Sequence, residues 1–188
     1  MCLISIQLRQ HAVYKLVLVA NRDEQYDRPA LPAHFWPDHP DLLAGKDLGA
    51  RGTWLGITKQ GRIAAVTNSY LITTQESDQK LSRGNLVMDY LTGNIGPEGY
   101  LEQIRQQRTD YNGFNLLIGS SDSLHHYNNI LDEISIIQTG SHAVSNATLD
   151  TPWPKVTLTK AAMAELASSS ELDEEAIFRI MADRTPPS

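Results

Sequence analysis

The chain contains a single cysteine, so an intrachain disulfide framework is excluded and a reducing, cytoplasmic setting is expected. It has no run of about 18 apolar residues, so no transmembrane helix is expected. The first apolar segment is interrupted by Arg9, His11 and Lys15, with no basic region ahead of it, which argues against a secretory signal. Basic residues are outnumbered, 16 Lys and Arg against 22 Asp and Glu, and a net charge of -6 disfavours nucleic acid as the main partner. No His-x-x-x-His or Cys-x-x-Cys spacing occurs. His34 and His39 lie in a proline-rich stretch, and the adjacent His125 and His126 point to opposite faces if they share a strand. Gly45, Gly49, Gly52 and Gly56 are spaced for turns and packing rather than for a phosphate loop. No metal and no cofactor is therefore expected.

What remains is a chain long enough for one sizeable core, read as a single domain over 1–188. Its first third reads as strands. Cys2-Leu3-Ile4-Ser5-Ile6 and Tyr14 to Ala20 are joined around Gln10-His11. Gly52 to Thr58 and Arg62 to Asn68 are joined by a Gln60-Gly61 turn. Arg28 to Pro37 reads as an ordered proline-rich loop, which leaves four strands in roughly the first 70 residues. The period then changes. Leu81, Leu86, Val87, Tyr90 and Leu91 have helical spacing with Ser82 a possible cap, and Pro97 opens a second helix. Strands return at Phe114–Gly119, Leu124–Tyr127, Ile134–Ile137 and His142–Asn146. Helices close the chain at Val156–Leu166 and Glu171–Met181, and 184–188 reads as a tail or truncation point. Elements grouped in blocks indicate an α+β layered domain rather than alternating βαβ units.

Cys2 stands out. If Met1 is removed, Cys2 carries both a thiol and an α-amine whose pKa is about 8 in model peptides. An N-terminal nucleophile enzyme needs this pairing, because the chain's own amine serves as the base. The competing reading is a small buried hydrophobe at a strand start, the usual fate of a free cysteine. The strand beginning at Tyr14 ends in Asn21-Arg22-Asp23-Glu24. In an antiparallel hairpin the end of the second strand meets the start of the first. Cys2 and the Asn21–Glu24 cluster are therefore expected at one sheet edge. There Arg22 could lower the thiol pKa and Asp23 could orient the amine or hold Arg22. The alternative is a polar turn with a weak surface ion pair.

Cys2, Asn21-Arg22-Asp23-Glu24, Leu43-Ala44-Gly45-Lys46-Asp47 and Gly52-Thr53-Trp54-Leu55-Gly56 form part of a longer ordered pattern. It continues through Val66-Thr67-Asn68, Ser82-Arg83-Gly84, Tyr111-Asn112-Gly113-Phe114-Asn115, Ser145-Asn146 and Thr151-Pro152-Trp153-Pro154-Lys155. In these motifs the chain resembles the NRDE family of transport and Golgi organisation proteins. The resemblance implies an αββα four-layer sandwich of the N-terminal nucleophile hydrolase type, distantly similar to bile-salt hydrolases and penicillin V acylases. It implies Cys2 as nucleophile, Arg22 and Asp23 beside it, Asn68 as an oxyanion-hole residue and Asn146 as a second active-site asparagine. Family members continue past position 188 with further strands and a Gly-Thr-Arg-Ser-like segment, so the resemblance also implies a C-terminally incomplete domain.

Two functions follow from that resemblance. One is hydrolysis of an amide or acyl bond in a small molecule by Cys2, with Asn68 and Asn146 stabilising the oxyanion and Asn21, Glu24 and Arg83 contacting ligand. The other is a non-catalytic carrier on the same scaffold, binding a hydrophobic ligand such as haem, a lipid or acyl-coenzyme A. The plainer alternatives are strand-end turn residues at Asn68 and Asn146, and a helix cap with a surface arginine at Ser82-Arg83.

Overall fold

Residues 2–71, 77 and 79–183 are described by the computed structural model. The expected tail at 184–188 lies outside them. The chain is α+β, and it divides into two compact units: Met1–Asp23 with Ile137–Ser188, and Glu24–Ile136.

The first unit is a three-stranded antiparallel sheet in the order β10-β1-β2, built from β1 (Leu3–Leu8), β2 (Leu16–Asn21) and β10 (Gly140–Val144). Two helices cover it, α3 (Pro154–Ala167) and α4 (Glu174–Ala182). Leu3 and Ala143 pack with Val156 of α3 and Met181 of α4, and Val17 packs with Met163 and Ile177. Helix α3 starts at Pro154, whose missing N–H costs nothing in a first turn. Helix α4 starts later than the expected Glu171. Asp173 caps it by accepting the Ala176 N–H at 2.9 Å, which places Glu174 and Glu175 in the first turn, where the helix dipole favours them.

The second unit holds a seven-stranded antiparallel sheet in sequence order from β3 to β9. Its strands are β3 (Ala30–Trp36), β4 (His39–Asp47), β5 (Leu55–Thr58), β6 (Ile63–Asn68), β7 (Phe114–Gly119), β8 (Leu124–Asn128) and β9 (Glu133–Ile136). Helices α1 (Arg83–Thr92) and α2 (Pro97–Gln106) lie on one face. Ala64 and Val66 of β6, Leu116 and Ile118 of β7 and Tyr127 of β8 meet Leu86, Val87, Tyr90 and Leu101 there. Phe114 sits edge-on to both Tyr111 and Tyr127, with ring centroids 5.8 Å apart in each pair.

Among the described residues six strands, not four, precede α1. The stretch expected as a proline-rich loop is the edge strand β3, paired with β4. Proline is tolerated there because an edge strand has one side on which no N–H is needed. The register shifts between Leu31 and His34, where Pro32 interrupts the ladder. The β5–β6 turn does carry Gly61 at φ 81°, a left-handed conformation that favours glycine.

Phe114 is fully buried and touches rings on both sides. Phe114→Ala is expected to cost about 3–5 kcal/mol of unfolding free energy, read from the urea midpoint at unchanged m-value.

Candidate functional site

Strand pairing sets the position of Cys2. β1 lies between β2, with Leu3 opposite Asn21, and β10, with Ile4 opposite Val144. The residue before Leu3 therefore sits beside the residues that follow Asn21 and Val144, namely Arg22-Asp23 and Ser145-Asn146. The thiol of Cys2 makes a weak contact with the Asp23 carbonyl oxygen at 3.8 Å. The Ser145 hydroxyl donates to the Cys2 carbonyl at 2.7 Å. Ser145 Oγ also lies 3.4 Å from Asn146 Oδ1, and both residues are buried. Cys2 itself is only partly buried. Thus Cys2, Asp23, Ser145 and Asn146 form a hydrogen-bonded group in the first unit, and Arg22 lies in the same segment, between Asn21 and Asp23. The Asn21 side-chain amide is tied to the Met181 carbonyl at 2.6 Å, which anchors the end of β2 to the last turn of α4.

The loop carrying Ser145 and Asn146 is closed behind them. Val144 and Leu149 form an antiparallel bridge, and the Asp150 N–H donates to the Ala143 carbonyl at 2.8 Å. Asp150 takes a left-handed backbone, φ 57°, and its carboxylate accepts the Ala143 N–H at 3.0 Å. The same carboxylate meets His142 Nδ1 at 2.6 Å and Lys160 Nζ at 2.7 Å. Burial pushes the Asp150 carboxyl up, but the bonds from Lys160, His142 and Ala143 outweigh it and hold it below the usual carboxylate range. His142 resembles half of a catalytic dyad, yet its Nε2 is 3.0 Å from the Gln138 carbonyl. Its ring is used as a brace.

The other expected residues belong to the second unit. Asn68 ends β6, and its amide donates to the Tyr70 hydroxyl at 2.8 Å. Its neighbours Thr67 and Ser69 enter a buried polar network. Asn115 donates to Thr67 Oγ1 at 3.2 Å, and Asn128 donates both to Ser69 Oγ at 3.1 Å and to Asn115 Oδ1 at 2.9 Å. His126 Nε2 lies 3.0 Å from Asn115 Oδ1. Arg83 opens α1 and donates from Nη1 to the Gly113 carbonyl at 3.0 Å, an oxygen that also accepts the Ser69 N–H. A Cβ on Gly113 would fall 2.3 Å from the Ser69 carbonyl oxygen, so glycine is required where these two segments cross. Ser82 stands at the N-cap of α1 but makes no side-chain cap bond. Glu24 accepts the Gln25 N–H at 3.0 Å and lies 3.7 Å from Arg28.

Sequence reasoning missed Ser145 as the group that fixes the Cys2 carbonyl, and it missed the Asp150 brace. It had Ser145 inside a motif, and Asp150 directly precedes another, so the signal was adjacency alone.

Comparison with known proteins bears on the family and the fold. The sequence model of the family described as Transport and Golgi organisation 2 matches residues 1–188. The mouse Transport and Golgi organization 2 homolog is 37% identical over 184 residues, and the human one is 35% identical over the same length. Each alignment covers 91% of this chain and 66% of the relative, so the chain spans about two thirds of their length. A solved structure, a Caenorhabditis elegans orthologue of N-acylethanolamine-hydrolyzing acid amidase, superposes with a TM-score of 0.54 at 8% identity. The match covers 98% of this chain and 86% of that one. This likeness shows the fold, an α+β fold of the N-terminal nucleophile hydrolase type. No helix among the described residues is long and apolar enough to cross a membrane.

A group whose folded pKa is depressed contributes stability above its unfolded pKa and loses it as pH falls through the folded value. The stability that Asp150 supplies should thus be complete above about pH 5 and fade as acid titrates it below the unfolded value of about 3.9. Asp150→Asn should be less stable than wild type at neutral pH and should show a shallower loss of stability below about pH 4 in urea unfolding.

Proposed function

Because the chain belongs to the Transport and Golgi organisation 2 family, we propose that it is a cysteine N-terminal nucleophile hydrolase that cleaves an amide or acyl bond of a small molecule. The observation that carries this reading is the convergence on Cys2. Cys2 is partly exposed, its thiol meets the Asp23 carbonyl, its own carbonyl is held by Ser145, and Ser145 in turn meets Asn146. Reactive cysteines occupy such partly accessible, polar settings, whereas structural ones are sealed in apolar cores. The hydrolase-like fold supports the same reading, although fold by itself does not fix chemistry.

With Met1 removed, the α-amine of Cys2 takes the thiol proton as Sγ attacks the substrate carbonyl carbon. The oxygen of that carbonyl gains the negative charge. The amide N–H2 of Asn146, next to Ser145, is assigned as the donor to that oxyanion. Collapse of the tetrahedral species breaks the C–N or C–O bond, and the leaving group departs with the proton held on the α-ammonium. Water, deprotonated by the same amine, then hydrolyses the thioester and returns the thiol. Arg22 favours the thiolate electrostatically, and Asp23 orients the ammonium. Ser145 acts through Cys2, by fixing its backbone.

The structural neighbour is named as an amidase for N-acylethanolamines. Fatty acyl amides are therefore the first substrates to try, followed by acyl esters and thioesters. Cys2→Ala is expected to reduce turnover to the uncatalysed rate with the melting temperature unchanged. Asn146→Ala should lower kcat by about a hundred- to a thousandfold, the effect of removing one oxyanion donor. Turnover by Cys2→Ala at the wild-type rate would refute the mechanism. Saturable ligand binding with no turnover by the wild-type protein would identify a carrier instead.

A further inference from the structure

A cavity of about 260 Å³ opens beside α1 and α2 in the second unit, lined by Arg62, Asp89, Tyr100, Gln107 and Tyr111 among others. Most drug-sized ligands occupy pockets of about 300–1,000 Å³, so this one suits something smaller.

Several of the polar groups lining it make no hydrogen bond or ion pair to protein among the described residues. Tyr111 is only 8% exposed, yet its hydroxyl has no hydrogen-bond partner among the described residues. The hydroxyl therefore opens toward the cavity, where water meets it, rather than being sealed in the core. Its neighbour Tyr100 has a partner, donating to the Leu86 carbonyl at 2.8 Å. The Asp89 carboxylate likewise has no cation and no donor among the described residues. Partial burial raises its pKa with nothing offsetting the shift. Its negative potential reaches the Tyr100 and Tyr111 hydroxyls, both of which burial first and Asp89 second push above their ordinary values. Arg62 is in the same cavity but does not pair with Asp89. Its Nε and Nη2 donate to the carbonyls of Tyr90 and Ile95, its guanidinium lies 4.0 Å over the Tyr90 ring, and Nη1 has no partner among the described residues.

Two opposite charges thus line one small cavity without neutralising each other. Asp89 is exposed, so water solvates its carboxylate, and a molecule carrying both charges replaces that water with two charge-assisted hydrogen bonds at once. We propose that this cavity binds a small zwitterion of the free α-amino acid class, with its ammonium group on Asp89 and the Tyr111 hydroxyl and its carboxylate toward Arg62. The carbonyl bonds hold the Arg62 fork in place before the ligand arrives, and the tyrosine rings flank the ammonium, as aromatic faces favour cations. This site is independent of the Cys2 reading.

The test is isothermal calorimetry of the full chain against individual free L-amino acids, with ethylammonium and propionate as single-charge controls. At least one amino acid should bind saturably at a single site, about tenfold or more tighter than either control. Asp89→Asn, on an exposed helix position, should weaken that binding about tenfold or more, and Tyr111→Phe should weaken it severalfold, both with unchanged melting temperature. If Tyr111→Phe fails to fold, the Asp89→Asn result decides. No saturable heat from any amino acid up to about 10 mM would overturn the proposal, because weaker binding corresponds to less than about 3 kcal/mol. So would ethylammonium binding as tightly as the amino acids, or an affinity unchanged by Asp89→Asn.

Discussion

Strand β1 is hydrogen-bonded along both edges, to β2 on one side and to β10 on the other. Everything notable about the first unit follows from that double pairing. It fixes the backbone next to Cys2 from both sides, and it brings together three chain segments far apart in sequence: the start, the Asn21-Arg22-Asp23 turn and the Ser145-Asn146 loop. A residue at a chain terminus is ordinarily among the least ordered. Here the ladder begins at Leu3, and the Ser145 hydroxyl extends the restraint one residue further by holding the Cys2 carbonyl. A nucleophile must be held to within a fraction of an ångström of its productive position, and a strand flanked by partners on both sides does this better than a loop.

The two asparagines expected in the chemistry are supported in different ways. Asn146 lies in a short loop closed by the Val144–Leu149 bridge and braced by Asp150, whose carboxylate meets a backbone N–H, a histidine and a lysine. Asn68 lies at the end of a strand whose flanking residues, Thr67 and Ser69, are pinned by Asn115 and Asn128, with His126 completing the network. Such networks specify geometry when every member is satisfied and destabilise when one is lost. Both therefore place restraint near the expected functional asparagines while the apolar core lies against the helices.

Much of this organisation was readable from sequence. Two adjacent apolar runs separated by a short polar break specified the hairpin of Leu3–Leu8 with Leu16–Asn21, and thus the pairing of the Cys2 end with Asn21, because an antiparallel register is fixed once the strands and their turn are known. Helical spacing located α1 and α2, and Pro97 marked the start of α2. Strand β3 was hidden because proline signals a loop unless the strand is known to be an edge, which is a property of the whole sheet. The Asp150 brace and the His126 network were hidden for a related reason. Aspartate, histidine and asparagine look alike in sequence whether they are solvated or bonded across strands, and only the register brings Asn115 beside His126 and Asn128. That Asp89 and the Tyr111 hydroxyl have no partner among the described residues left no sequence trace, since a missing partner is visible only in three dimensions.

The central claim is that Cys2, freed of Met1, is the acyl-accepting nucleophile. The direct measurement is intact-mass analysis, with peptide mapping, of protein purified from cells, incubated with an activated fatty acyl ester and quenched in acid. The expected result is a chain that has lost Met1 and carries one acyl group on Cys2 in a thioester that hydroxylamine removes. A chain that retains Met1, or one that stays unacylated at Cys2 under these conditions, would contradict it.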